Sequence, residues 1–334
     1  MTSRRLLPRV LFLTAVLALF FTGGFLAWIQ SWRTGEMLDL ETRSEVVELP
    51  SGKMEFAVRG EGPPVLVFHS APGGYDQGLA LAGFLPDAGF QIIAPSRPGY
   101  LRTPLAVGAS PEAQAVVAAE LLDHLDISKT SIIGFGWGGS AAIEFAKRFA
   151  DRTSSLTLVS SPTLETPAAN GLPLPLSILN QIGGNLGSRM LKVRVEQKPA
   201  EVLGQAFDLT SSGDDTARAA WVDFLLKNPG DLERFQETIL SLSPLAPREE
   251  GLENDLQQPL ASIRELTPPV LLVHGSMDKA VPPASRAASP LAPAELFPVP
   301  GEGHLVLSGR GASSAAKRIV DFVNLHQTAN QHGQ

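Results

Sequence analysis

The stretch Gly134-Phe135-Gly136-Trp137-Gly138-Gly139 decides the fold of this chain, because it admits two incompatible readings. Letter for letter it fits G-x-G-x-x-G, the glycine-rich turn that lets a pyrophosphate approach a helix N-terminus. In its setting, Thr130–Gly134 before it reads as a buried strand and Trp137–Ala150 after it as a helix. That is also the setting of G-x-S-x-G, the tight strand-to-helix turn that exposes a nucleophilic serine, here with Gly136 at the serine position. A dinucleotide site requires its glycines to follow the first strand of their unit, with an acidic residue ending the next strand. Here several strands come first, and the next one ends Leu158-Val159-Ser160-Ser161, with no acid before Glu165. The nucleophile turn is the better reading.

Outward from this turn, strands are expected at Val46–Leu49, Met54–Val58, Pro64–His69, Phe90–Ala94, Leu156–Ser160, Val270–His274 and Glu295–Val299. Helices are expected over 77–88, 111–126, 283–290 and 312–326. Alternating apolar strands and amphipathic helices predict an α/β fold, a mostly parallel central sheet with helices on both faces. Residues 164–265 break the alternation with proline, glycine and acidic patches, and hold helical stretches near 199–208, 216–227 and 231–241. They read as one inserted helical cap, of the kind that covers a site. Within it, residues 172–186 are apolar enough to line a pocket or touch a bilayer.

The first 32 residues are of another kind. Arg4, Arg5 and Arg9 precede an uncharged run from Val10 to Ile29, with Trp28, Trp32 and Arg33 at its far end. Twenty apolar residues match the thickness of a bilayer core, and tryptophans favour its interface. The expectation is one uncleaved transmembrane helix over 1–32, with the N-terminus cytoplasmic and the main domain on the exported side. The rival is a signal peptide cleaved around Thr22-Gly23-Gly24. Residues 33–44 read as a polar linker, 45–326 as the main domain and 327–334 as a flexible tail. A net charge of −7 gives no reason to expect nucleic-acid binding. With no cysteine there is no disulfide framework, no thiolate nucleophile and no cysteine-ligated zinc. The histidines show no metal-ligand spacing, and neither a metal nor a cofactor is expected.

In a sheet of this kind, ligands sit beyond the carboxyl ends of the strands. The loops there are His69-Ser70-Ala71-Pro72-Gly73-Gly74, Ser96-Arg97-Pro98-Gly99-Tyr100, Gly134–Gly139, Ser160-Ser161, His274–Asp278 and Pro300-Gly301-Glu302-Gly303-His304. Their order and spacing over about 45–325 resemble the α/β-hydrolase superfamily. HSAPGG resembles its oxyanion loop H-G-x-x-G, GFGWGG its nucleophile elbow, HGSMDKAVPP its acid turn, and PGEGHLVL its histidine turn.

The resemblance implies Asp278 as the acid and His304 as the base, in the chain order nucleophile, acid, histidine. It implies the backbone N–H groups of Ala71 and Trp137 as oxyanion donors. Two positions depart from the pattern. Gly136 has no side chain to attack a carbonyl, and Ser70 replaces the glycine after His69. Ser70, Tyr100 and Ser161 are candidates for binding substrate, Ser70 through its hydroxyl at the oxyanion or else as a solvated turn residue. Ser140 or Ser161 standing in as nucleophile, or His304 acting on water, would keep the site active. The expected function is thus hydrolysis of an ester- or amide-type small molecule by a triad lacking its serine. The alternative is an inactive relative that binds a small apolar ligand or a partner protein.

Overall fold

In the computed structural model, residues 6–163, 184–281 and 294–331 are described. Eight strands form one sheet: β1 (Glu45–Leu49), β2 (Gly52–Arg59), β3 (Pro64–Phe68), β4 (Gln91–Pro95), β5 (Thr130–Phe135), β6 (Thr153–Val159), β7 (Val270–Gly275) and β8 (Ala294–Val299). Their spatial order is β1-β2-β4-β3-β5-β6-β7-β8. The pairings β1–β2 and β2–β4 are antiparallel, and the five from β4 to β8 are parallel. In the middle of the sheet both faces are buried, so the strands carry unbroken apolar runs rather than an alternation. Leu66, Ile132 and Leu272 face one core, packed on α3 (Pro111–His124) and α4 (Gly138–Arg148). Val65, Ile133 and Val273 face the other, packed on α2 (Tyr75–Leu81) and α10 (Ala312–Gln331). The mixed α/β sheet with helices on both faces is as expected. The segment expected to be helical over 283–290 lies outside the described residues.

The N-terminal segment differs from its reading in one respect. A single helix, α1, runs from Leu6 to Thr42, so residues 33–42 are helical rather than a loose linker. Leu11 to Trp28 are exposed, whereas Leu40 joins the second core. The C-terminal end of α1 is tied down because the Tyr75 hydroxyl donates to the Leu40 carbonyl and Lys192 pairs with Glu36 at 2.6 Å. At the other end, α10 continues to Gln331, five residues into the expected tail.

The described cap consists of α5 (Gly184–Gln197), α6 (Pro199–Thr210), α7 (Asp215–Lys227), α8 (Pro229–Leu240) and α9 (Glu249–Gln257). Prolines at the first turns of α6 and α8 suit those positions, where the missing N–H is no loss. Leu203, Phe207, Trp221, Leu225 and Phe235 give the cap an apolar cluster of its own. Helix α5 touches α1, with the Arg189 guanidinium 4.2 Å from the Trp28 ring centre. Helices α5 and α9 were not foreseen; α5 is rich in charged residues and α9 is only nine residues long.

Candidate active site

The turn after β5 has the tight geometry expected of it. The Gly136 N–H donates to the Val159 carbonyl at 3.0 Å, and φ at Gly136 is +47°, a left-handed conformation that costs glycine nothing. Gly134 and Gly139 are glycines for packing. A Cβ on Gly134 would come within 2.8 Å of Ala142 Cβ, and one on Gly139 within 2.6 Å of Ser161 Cβ. The match to a cofactor fingerprint is thereby explained without a cofactor.

Asp278 and His304 come together from the turns after β7 and β8. His304 Nδ1 lies 3.0 Å from Asp278 Oδ2, which places the ring proton on Nδ1 and leaves Nε2 as the acceptor. Asp278 is wholly buried, while the His304 side chain is 22% exposed. Asp278 Oδ1 accepts from the N–H groups of Ala280 and Val281 at 2.8 and 3.1 Å, so the carboxylate also caps its own turn. The His304 peptide is clamped on both sides. Its N–H donates to the Thr210 carbonyl at 3.2 Å, and its carbonyl accepts from Ser160 Oγ at 2.7 Å. Residues just after α6 also bridge to the acid turn, Ser211 pairing with Asp278. The cap therefore braces both turns.

Burial alone would raise the Asp278 pKa. The neighbouring His304, its hydrogen bond and the two backbone donors outweigh that and hold the carboxyl below its ordinary range. A lowered folded-state pKa means that the unfolded chain takes up the proton first as pH falls. The stabilisation from this carboxylate is therefore complete above the ordinary value of about 3.9 and is lost on acidification below it. Urea titrations of the native chain and Asp278→Asn should show a stability gap at pH 7 that narrows toward pH 3. A gap independent of pH would refute this assignment.

His69 is buried between two partners. Its Nδ1 bonds the Ser70 carbonyl at 2.7 Å, and its Nε2 accepts from the Arg97 N–H at 2.9 Å. Burial, then the Arg97 charge, drives its pKa well below the usual histidine value, so the ring is neutral and serves as a peg for the loop. Glu302, which the sequence reading passed over, is a second peg. It accepts from Gly311 N–H at 2.9 Å and from Trp221 Nε1 at 3.2 Å, tying the cap to the histidine turn. Burial raises its pKa. Its only sequence signal is its place two residues before His304.

Above Gly136 lies a cavity of about 170 Å³. Ser70, Ala71, Trp137 and His304 line it on the sheet side, and Ala206, Leu209, Ile239 and Leu242 on the cap side. The residues of the two expected oxyanion donors thus line the same cavity as the imidazole. Gln77 also lines the cavity, and its buried Oε1 has no hydrogen-bond partner. Three other candidates do not line it. Tyr100 is fully buried, stacked edge-on against His69 at 4.8 Å, with its hydroxyl donating to Asp255 Oδ2 at 2.6 Å. It braces the loop and does not reach the cavity. Ser161 Oγ is buried and donates to the Gly134 carbonyl at 3.1 Å, and Ser140 Oγ accepts from the Ala261 N–H at 3.2 Å. Both hydroxyls serve the backbone. Among the described residues no group of side chains is arranged to hold a metal ion.

The family model of the alpha/beta hydrolase fold matches residues 63–308, most of the chain. The protein belongs to that family. Among its relatives is the uncharacterized hydrolase YcgS of Bacillus subtilis, 29% identical over 301 residues, covering 85% of this chain and 99% of YcgS. The 2-hydroxy-6-oxo-6-phenylhexa-2,4-dienoate hydrolase of Burkholderia cepacia is 25% identical, covering 57% of this chain and 67% of that enzyme. Among solved structures, an alpha/beta hydrolase fold protein from Nakamurella multipartita superposes with a TM-score of 0.76 at 28% identity, covering 84% of this chain and 98% of that one. The curated relatives named here are hydrolases, and at the N-terminus one helix of this chain is apolar and long enough to cross a membrane.

Proposed function

We propose that this α/β-hydrolase cleaves a small, largely apolar carbonyl compound, an ester or amide, in the cavity above Gly136. The observation that carries this is the Asp278–His304 pair. A buried carboxylate fixes the imidazole tautomer so that the free Nε2 is available as a base beside the cavity. A relative that only bound a ligand would have no chemical use for that arrangement. Apolar walls supply binding without orientation, and Ala71 and Trp137, whose N–H groups would receive a developing oxyanion, line the same cavity. A cavity of about 170 Å³ favours small substrates, since drug-sized ligands take sites of roughly 300–1,000 Å³. The dienoate hydrolase among the relatives acts on a keto-acid, which fits a carbonyl substrate.

The proposal is tested with the full-length protein in detergent and p-nitrophenyl esters of two to twelve acyl carbons, with an anilide series beside them. Saturable turnover that favours short acyl chains is expected. No turnover of any member, with an apolar probe still quenching tryptophan fluorescence in the native chain but not in Trp137→Phe, would assign the chain to the ligand-binding alternative favoured by Gly136.

The proposal extends to location. Three arginines before the apolar stretch of α1 favour a cytoplasmic N-terminus and an exported domain held by one anchor. N-terminal sequencing of membrane-extracted protein checks it, and a mature start near residue 25 would refute the anchor.

A further inference from the structure

We propose that Ser70 is the nucleophile that Gly136 lacks, serine and glycine having exchanged places between the loop after β3 and the turn after β5. The inference rests on the hydrolase reading above and adds the residue that attacks.

The sheet register brings the two positions together. Strands β3 and β5 are parallel neighbours with Phe68 opposite Gly134, so the chain two residues further on sets Ser70 against Gly136. A Cβ built on Gly136 would overlap Ser70 Oγ outright, approach Ser70 Cβ to 3.0 Å and stand 3.9 Å from His304 Nε2. The Ser70 hydroxyl thus fills the space where an elbow serine would begin, entering from the opposite wall. That explains both departures from the family pattern at once, since Ser70 leaves room at 136 for glycine alone. Ser70 is half-buried, lines the cavity and has its own peptide carbonyl pegged by His69. Its Oγ accepts from the Trp137 N–H at 3.4 Å. By contrast, the Ser160 and Ser161 hydroxyls both donate to backbone carbonyls, and Ser140 does not line the cavity.

The oxyanion donors survive the exchange. In either arrangement one of Ala71 and Trp137 follows the nucleophile and the other follows its glycine counterpart. The step balances with water as the only co-reactant. Ser70 Oγ forms a bond to the carbonyl carbon while its proton passes to His304 Nε2, and the carbonyl oxygen takes the place of Oγ at the Trp137 N–H. Collapse breaks the bond to the leaving group, which departs with the proton from His304. Water then attacks the acyl-Ser70 ester, again giving its proton to His304, and the acid leaves as Ser70 recovers its hydrogen. At rest Oγ is held by Trp137 rather than by Nε2, and hydrogen bonds of this kind often close only when substrate binds.

The test is labelling of the full-length protein in detergent with a fluorophosphonate, mapped by peptide mass spectrometry, alongside ester kinetics. Expected is phosphonylation at Ser70, abolished by His304→Ala, with Ser70→Ala lowering kcat by about 10³-fold or more. Gly136→Ser alone should gain nothing, because the added side chain collides with Ser70. The exchanged variant Ser70→Gly/Gly136→Ser should carry the label at position 136. Circular dichroism and thermal unfolding check that each variant is folded. Turnover that needs His304 but is unaffected by Ser70→Ala, with no label on Ser70, would overturn the assignment and leave the hydrolase reading standing on activated water. A label on Ser160, Ser161 or any other serine instead would also overturn it. Neither label nor turnover in the native and exchanged forms would end both proposals.

Discussion

Replacing His304 with alanine is expected to lower kcat for ester hydrolysis by at least about 10²-fold, and the size of the loss reports what the imidazole acts on. A positioned base working on water typically contributes about 10²–10⁴-fold. A base that activates a side-chain nucleophile belongs to a unit, and removing one member of a serine triad costs up to about 10⁶-fold. With Ser70 as the nucleophile, the loss should lie at the upper end and match that of Ser70→Ala, and the double variant should be no worse than either single. With water as the nucleophile, His304→Ala should be far more damaging than Ser70→Ala. KM should change little in either case, since the cavity walls are mainly aliphatic side chains. Steady-state kinetics on one short ester measures all of this. A loss below about tenfold would remove His304 from the chemistry.

Much of this site was legible along the chain, because the residues concerned follow strands whose apolar runs are easy to see. Asp278 and His304 each lie a few residues beyond a strand, and the fold carries every such position to one edge of the sheet. The relation between Ser70 and Gly136 lay outside that kind of reading. It depends on the lateral register of β3 and β5, and the two segments are separated by more than sixty residues of intervening chain. Tyr100 misled for a similar reason. It follows a strand as a site residue would, but its hydroxyl is claimed by Asp255 from the far end of the cap. Residues 33–42 read as a linker by their polarity, while Leu40 and Met37, spaced as on one helical face, pack against the domain.

The second large effect is expected at that same Asp255, and it concerns stability. The Arg97 guanidinium is buried and makes two bonds to Asp255, 2.8 Å to Oδ1 and 2.5 Å to Oδ2, and Tyr100 donates to the same carboxylate. Burial opposes the charge on Arg97, and Asp255 more than restores it. Asp255→Ala leaves a cation and a phenol in the interior without their acceptor. Breaking a buried pair in this way costs about 3–5 kcal/mol, far more than the pair is worth relative to two apolar side chains. For a domain of this size that corresponds to a fall in Tm of roughly 10 °C. The damage should reach the site as well, because Arg97 Nε donates to the His69 carbonyl at 2.9 Å and the Arg97 N–H holds the His69 ring. His69 in turn fixes the Ser70 peptide. Asp255→Ala should therefore lower kcat even well below its Tm, whereas cutting an exposed pair such as Lys317–Asp321 should change neither quantity measurably. A double-mutant cycle with Arg97→Met separates the lost pair from the stranded charge, since the apolar double variant should recover part of the stability but none of the loop geometry that Arg97 supports. If Asp255→Ala costs less than about 1 kcal/mol, water reaches Arg97. The link from the cap through Arg97 and His69 to Ser70 then carries no energetic coupling.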